Sequence, residues 1–153
     1  MIKRLFSFSL VLILLLVMFP CSVLAVDKVE DPQIIKFDDG SYLEIFAGAT
    51  PTRAANTVSG FKKCIFRDSD GNVEWEAELN ATFAYSGAWY TCTAASCDVT
   101  IYDNKWYVVS NSTTRSSNNA YSYLTMGRKH LGVTVDRPQY TIKLTCDSSG
   151  NLS

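Results

Sequence analysis

Cysteines are the residues of this chain with the clearest capacity for covalent chemistry. Apart from Cys21 in the N-terminal apolar segment, the chain has Cys64, Cys92, Cys97 and Cys146. An even number of cysteines in an exported chain favours disulfide bonds. A zinc site is not indicated, because the chain has no CxxC motif and only one histidine. We therefore expect two disulfides, no bound metal and no cofactor.

The spacing of Cys92 and Cys97 limits how these disulfides can be arranged. Residues 93–96 contain no Gly, Pro, Asn or Asp, so they make a poor turn. We favour one long strand with a bulge, in which an extra residue returns the chain to its core face. The core face would then carry Tyr90, Cys92, Ala94, Cys97, Val99 and Ile101. Five extended residues separate the two sulfurs by about 16 Å, so each should pair with Cys64 or Cys146 instead. Either assignment remains open on this argument.

Glutamates and the single histidine are the candidates for acid–base catalysis. Glu74, Glu76 and Glu78 alternate along one segment, which places neighbouring carboxylates about 7 Å apart, between the separations of retaining and inverting glycosidases. We interpret them as a solvated acidic face that pairs with basic residues of the next strand. His130 follows two basic residues and has no evident nucleophile or orienting carboxylate, so we interpret it as a surface residue. No enzymatic activity is expected.

The segment from Asp68 to Asn72 has carboxylates at spacings that calcium loops also use. Its glycine, Gly71, is at the fourth position, whereas an EF-hand loop has glycine at the sixth. The segment is therefore predicted to be a hairpin turn.

Aromatic side chains give the strongest indication of binding. Tyr102 and Tyr107 flank a turn on registers opposite Ile101 and Trp106, which predicts exposed rings. Exposed rings stack on sugars or anchor a protein partner. The predicted binding patch consists of Tyr102, Tyr107, Tyr121 and Tyr123.

Strands are the elements that must position these residues. Residues 73–85 alternate apolar odd positions with polar even positions, which is the pattern of a strand with one wet face. The predicted strands are 33–37, 41–46, 58–67, 73–85, 89–102, 105–114, 120–129 and 139–146, with 47–56 and 131–137 as loops. About eight short strands separated by turn residues predict an antiparallel, immunoglobulin-like β-sandwich stabilised by disulfides.

The N-terminus predicts export. Lys3 and Arg4 precede an apolar run at 10–19, and small side chains end at Ala25, which is the order of a cleaved secretory signal. Residues 1–25 are thus a predicted signal peptide, 26–32 a flexible lead-in and 33–153 a single domain in a secreted protein without a membrane span. An uncleaved anchor or lipidation of Cys21 is less favoured. Basic and acidic residues number 14 and 15, so the charge needed to bind nucleic acid is lacking.

The second half of the chain, residues 75–153, resembles a group of small secreted proteins of Gram-positive bacteria without an established function. The resemblance is carried by Cys92-Thr93, Ile101-Tyr102-Asp103, residues 129–133, Leu144-Thr145-Cys146 and Gly150-Asn151-Leu152-Ser153. It implies no catalytic residues. It does imply that Cys92 and Cys146 form a pair, which leaves Cys64 to bond Cys97.

These features together predict a secreted, non-enzymatic β-sandwich that binds a glycan or a protein at the cell envelope or outside the cell. A secreted effector, such as a bacteriocin-like protein, is the alternative. A small hydrolase ranks last.

Overall fold

Nine strands build the protein in the computed structural model, which describes residues 31–50 and 56–153. They are β1 (Gln33–Lys36), β2 (Tyr42–Thr50), β3 (Thr57–Arg67), β4 (Val73–Tyr85), β5 (Tyr90–Ile101), β6 (Trp106–Ser116), β7 (Asn119–His130), β8 (Val133–Asp136) and β9 (Gln139–Thr145). The predicted signal peptide, and all of the lead-in but its last two residues, lie outside the described residues. Within the described ranges, no helix has the length and hydrophobicity to cross a membrane.

The strands form two antiparallel sheets. One has five strands in the order β1-β2-β3-β4-β5, and the other has four, with β6 on one side of β7 and both β8 and β9 on the other. The all-β, two-sheet prediction is therefore confirmed. An immunoglobulin-like fold also needs Greek-key connections, which the sequential order of the described strands does not show.

The core lies between the two sheets, and its centre is β4. The alternation predicted for this strand is confirmed from Trp75 to Phe83, because Trp75, Ala77, Leu79 and Phe83 have no exposed surface and the even-numbered residues between them are half-buried. Residues of the second sheet that complete the same core include Ala120, Leu124, Met126, Ile142 and Leu144. Complete burial of each large apolar side chain contributes about 1.5–3 kcal/mol.

A bulge in β5 keeps both of its cysteines on the core side. Phe83 is opposite Cys92 and Thr82 is opposite Ala94, so Thr93 is the extra residue. The prediction of one long, bulged strand is confirmed. Its face assignment was wrong at Ala94, because the bulge comes before that residue; Ala94 faces outward and Ala95 packs against the core.

Two segments predicted to be loops are strands. Residues 47–50 extend β2, where Gly48 lies opposite Phe61, whose ring occupies the space that a side chain at position 48 would need. Residues 133–136 form β8, which makes a hairpin with β7 through Leu131 and Gly132. Both turn residues have positive φ, 50° and 81°, as the tight hairpin turns that match strand twist require. Gly132 indicated a turn in the sequence. The four-residue strand after it could not be predicted, because it forms only by pairing with β7.

The same five-residue turn occurs twice. Asp68 to Asn72 and Asp147 to Asn151 both have the pattern Asp-Ser-x-Gly-Asn. In each, the aspartate carboxylate accepts from the asparagine backbone N–H at 2.8 Å and from its side-chain amide at 2.9 or 2.8 Å. These bonds lower the pKa of Asp68 and Asp147. The hairpin-turn prediction for residues 68–72 is confirmed.

The two turns offer a matched test of packing, because Gly71 and Gly150 share a left-handed backbone, with φ of 88° and 86°. We expect Gly71→Ala to destabilise the protein by about 1–2 kcal/mol through backbone strain alone. Gly150→Ala should cost about 1 kcal/mol more, because its new Cβ would lie 2.7 Å from the Tyr85 ring. Denaturant unfolding measures both. Equal losses, or a difference that persists when Tyr85 is replaced by Ala, would contradict this explanation.

Candidate ligand-binding face

Tyr121 and Tyr123 lie side by side on the outer face of the four-stranded sheet. They are in β7, the central strand of that sheet, and their neighbours Ala120, Ser122 and Leu124 point into the core with at most 1% exposure. The two rings are stacked, with centroids 6.1 Å apart and planes 5° from parallel. Tyr123 is 48% exposed. Strand periodicity thus holds two rings in one orientation toward solvent.

Polar residues of the neighbouring strands border these rings. The cross-strand partners of Tyr123 are Ser112 and Thr141, and those of Tyr121 are Thr114 and Lys143. The Lys143 ammonium lies 5.9 Å from the centroid of the Tyr121 ring, within the range of a cation–π interaction. We call this group the tyrosine platform: Tyr121, Tyr123, Ser112, Thr114, Thr141 and Lys143.

Tyr107 lies on the same face but outside the platform. It pairs with Gly127, and its ring covers that glycine, which explains the small residue there. Its hydroxyl is 2.8 Å from that of Thr134, and the Lys129 ammonium lies 4.9 Å from its ring centroid. The hydrogen bond to Thr134, with the nearby positive charges of Arg137 and Lys129, holds the pKa of Tyr107 below its ordinary value despite partial burial.

Tyr102 lies on the opposite side of the molecule. Its backbone N–H donates to the Glu74 carbonyl at 2.9 Å in the turn after β5. Its exposed hydroxyl lies beside Glu76, on the outer face of the five-stranded sheet. The structure therefore brings together Tyr121 and Tyr123, adds Tyr107 at a distance, and separates Tyr102. The prediction of one four-residue patch was wrong in this respect, because adjacent positions along a strand give no information about which sheet a neighbouring hairpin joins.

Two of the three glutamates form the predicted solvated, ion-paired face. Lys63 on β3 lies 3.5 Å from Glu76 and 3.0 Å from Glu78. Burial acts to lower the pKa of Lys63, but its hydrogen bond to Glu78 and the charges of both carboxylates raise it overall.

Glu74 differs from the prediction, because it is only 4% exposed. Phe66 pairs with Trp75 and Arg67 pairs with Val73, so Glu74 is the extra residue of a bulge in β4. The bulge directs its carboxylate toward the other sheet, where it accepts from the Trp106 indole at 2.6 Å and forms an ion pair with Lys105. The carboxylate is therefore a tether between the two sheets rather than half of a catalytic pair.

His130 is exposed at the end of β7, as predicted. It lines an open recess of about 420 Å³ together with Lys105, Arg128, Lys129 and Val135. This lining offers no carboxylate to orient the imidazole and no hydroxyl or thiol nucleophile.

Metal binding finds no support in the part of the chain that the structure describes. No group of three or more His, Cys, Asp or Glu side chains there has an arrangement that could hold a metal ion. Both carboxylate oxygens of Asp68 already accept hydrogen bonds within their own turn.

Comparison of this sequence with known proteins identified no similar protein. No protein-family model, curated protein or solved structure matches this sequence. The resemblance to small secreted proteins of Gram-positive bacteria remains a prediction.

Lys143 and the bordering hydroxyls are the platform residues that sequence reasoning missed. Their signal was present in β9, where Thr141, Lys143 and Thr145 alternate with buried or half-buried residues. What the alternation could not provide was the pairing of β9 with β7, which aligns Lys143 with Tyr121.

Glu74, which forms the buried tether, and Glu78, which forms a part-exposed ion pair with Lys63, lie on the same strand. Their contributions to stability can therefore be compared by mutation. Glu74→Ala leaves the Trp106 indole and the Lys105 ammonium without their partner, and we expect a loss of about 2–3 kcal/mol. Glu78→Ala, which breaks the part-exposed contacts with Lys63 and Asn80, should cost less than about 1 kcal/mol. Urea unfolding followed by tryptophan fluorescence measures both. Similar losses in the two variants would show that Glu74 is not a tether.

Proposed function

We propose that this protein is an exported, non-enzymatic binding module that holds a glycan on the tyrosine platform. The observation that carries the proposal is the pair of parallel, solvent-facing rings of Tyr121 and Tyr123 in the middle of a sheet face. Export is inferred from the signal sequence at residues 1–25.

The shape and chemistry of the platform suit a sugar. The two parallel tyrosine rings form an apolar surface, and the carbon-bound hydrogens of a pyranose ring can pack on such a surface. Hydroxyls of Ser112, Thr114 and Thr141 border the rings and can exchange hydrogen bonds with sugar hydroxyls. Because each ring is held by strand register, little conformational entropy is lost on binding.

Oxidation of two cysteines belongs to the same proposal. Cys92 lies on β5, the edge strand of the five-stranded sheet, and Cys146 directly follows β9 of the four-stranded sheet. Their backbone N–H groups donate to consecutive carbonyls of the β6–β7 turn, Ser117 at 2.7 Å and Asn118 at 3.0 Å. Both thiols are buried, and the structure has them unbonded. Burial, with the charges of Asp147 and Cys92, raises the pKa of Cys146 to about 11, so it is a poor nucleophile.

The register supports this pair more than the other one. Cys64 and Cys97 lie on one sheet, on β3 and β5, with β4 between them. Two strand spacings amount to about 9.6 Å, which exceeds the Cα separation of a disulfide. We therefore propose Cys92–Cys146 as the bond that forms after export, with two protons and two electrons passing to a disulfide oxidant.

Peptide mapping under non-reducing conditions tests the bond in secreted protein. We expect a linked peptide pair that contains Cys92 and Cys146. Cys92→Ser should lower stability by about 4 kcal/mol in the chain-entropy estimate for a loop of this length. A bond from Cys92 to Cys64 or to Cys97 would refute the assignment.

Binding of the mature protein to immobilised polysaccharides tests the platform. Tyr123→Ala removes the more exposed ring and should weaken glycan binding at least about tenfold, since aromatic anchors often contribute 1–2 kcal/mol or more. Tyr102→Ala is the matched control, because it removes an exposed ring from the other sheet, and it should bind like the parent protein. Circular dichroism and thermal unfolding verify that both variants fold. Absence of binding to every polysaccharide, with capture by a protein instead, would overturn the glycan assignment.

A further inference from the structure

We propose that the ligand of the tyrosine platform is an acidic polysaccharide, whose anionic groups pair with Lys143 and Lys129; this inference rests on the proposed function. It extends that function from a surface that stacks sugars to one that selects them by charge.

The two outer faces of the protein differ in charge. Strand register places these residues on the outer face of the four-stranded sheet: Ser110, Ser112, Thr114, Ser116, Tyr107, Asn119, Tyr121, Tyr123, Thr125, Gly127, Lys129, Thr134, Gln139, Thr141, Lys143 and Thr145. The structure describes all residues of this set, and its two charged members, Lys129 and Lys143, are both lysines. The protein nevertheless has a small excess of acidic residues. Its basic face is therefore a local arrangement and not a result of composition.

Acidic residues are concentrated on the other sheet. Glu44, Glu76, Glu78 and Asp98 lie on the outer face of the five-stranded sheet. Two basic residues there are occupied, since Arg67 bonds Glu44 at 3.0 Å and Lys63 bonds Glu76 and Glu78. An anionic polymer would be repelled from this side and attracted to the tyrosine side.

Lys143 and Lys129 are placed to accept an anion. Neither ammonium has a carboxylate within 4.0 Å among the described residues. Each lies beside a ring instead, Lys143 at Tyr121 and Lys129 at Tyr107. A sugar packed beside these rings would bring its carboxylate or sulfate next to the ammonium, so the apolar contact and the ion pair would form together.

The spacing of the two lysines along the sheet indicates a polymer. Lys143 is level with Tyr121 and Lys129 is farther along the same strand. Eight residues of strand span about 26 Å, which is much longer than a single sugar. A ligand that contacts both lysines must be a chain laid along β7, across Tyr123 and toward Tyr107.

Titration calorimetry of the mature protein with polygalacturonate, chondroitin sulfate and neutral dextran tests the proposal. We expect both acidic polymers to bind more tightly than dextran, with affinity that falls as salt rises. The polygalacturonate and chondroitin sulfate arms distinguish carboxylate from sulfate recognition. At low salt, Lys143→Gln should weaken acidic-polymer binding about two- to fivefold, and the double variant with Lys129→Gln should weaken it further.

Lys36→Gln is the matched control, because it removes an exposed lysine from the edge of the five-stranded sheet. It should bind like the parent protein. Equal weakening by Lys36→Gln and Lys143→Gln, or tighter binding of dextran than of either acidic polymer, would overturn the inference. If Tyr123→Ala abolishes polysaccharide binding while the lysine variants change nothing, the platform stands and the charge selection fails. If Tyr123→Ala also leaves binding unchanged, the platform itself is refuted.

Discussion

The packing of Trp75 is the interaction on which the rest of this structure depends. Its ring stacks on Phe66 of β3 at 5.5 Å and meets Trp106 of β6 at 6.2 Å and Tyr140 of β9 at 5.1 Å. One side chain therefore contacts both sheets. Its indole N–H is buried without a hydrogen-bond partner, which costs about 1–3 kcal/mol. The packing of four aromatic rings outweighs that cost.

Polar side chains complete the junction of the sheets where apolar packing ends. β5 and β6 are the neighbouring edge strands of the two sheets. These two described strands do not pair through backbone hydrogen bonds; side chains of β6 bond to the backbone of β5 instead. Asn111 donates to the Cys97 carbonyl at 2.8 Å, and Arg115 donates to the Thr93 carbonyl. Ser122, which has no exposed surface, holds Asn111 from the core side at 2.9 Å. Together with the Glu74 tether, these bonds fix how β6 and β7 are oriented against the first sheet.

That orientation decides which residues meet solvent at the tyrosine platform. Leu124 and Met126 occupy the core, so the intervening residues of β7 must point outward. The core therefore determines the orientation of the tyrosine platform through the alternation of side chains along β7. A shift of β7 by one residue would bury Tyr121 and Tyr123 and expose the apolar set, which makes the platform as well defined as the core itself.

Much of the architecture was determined by the sequence alone. The alternation in residues 75–83, the bulge between Cys92 and Cys97, and the turn at residues 68–72 all depend on local chemistry, and the structure has each of them. Local chemistry could not show that Glu74 is buried, because its partners are Trp106 in β6 of the other sheet and Lys105 in the turn before it. Nor could it separate Tyr102 from Tyr121 and Tyr123, or align Lys143 with Tyr121. Periodicity determines which way a side chain points from its own strand, whereas the neighbours it meets depend on long-range strand pairing, and only the tertiary structure decides that.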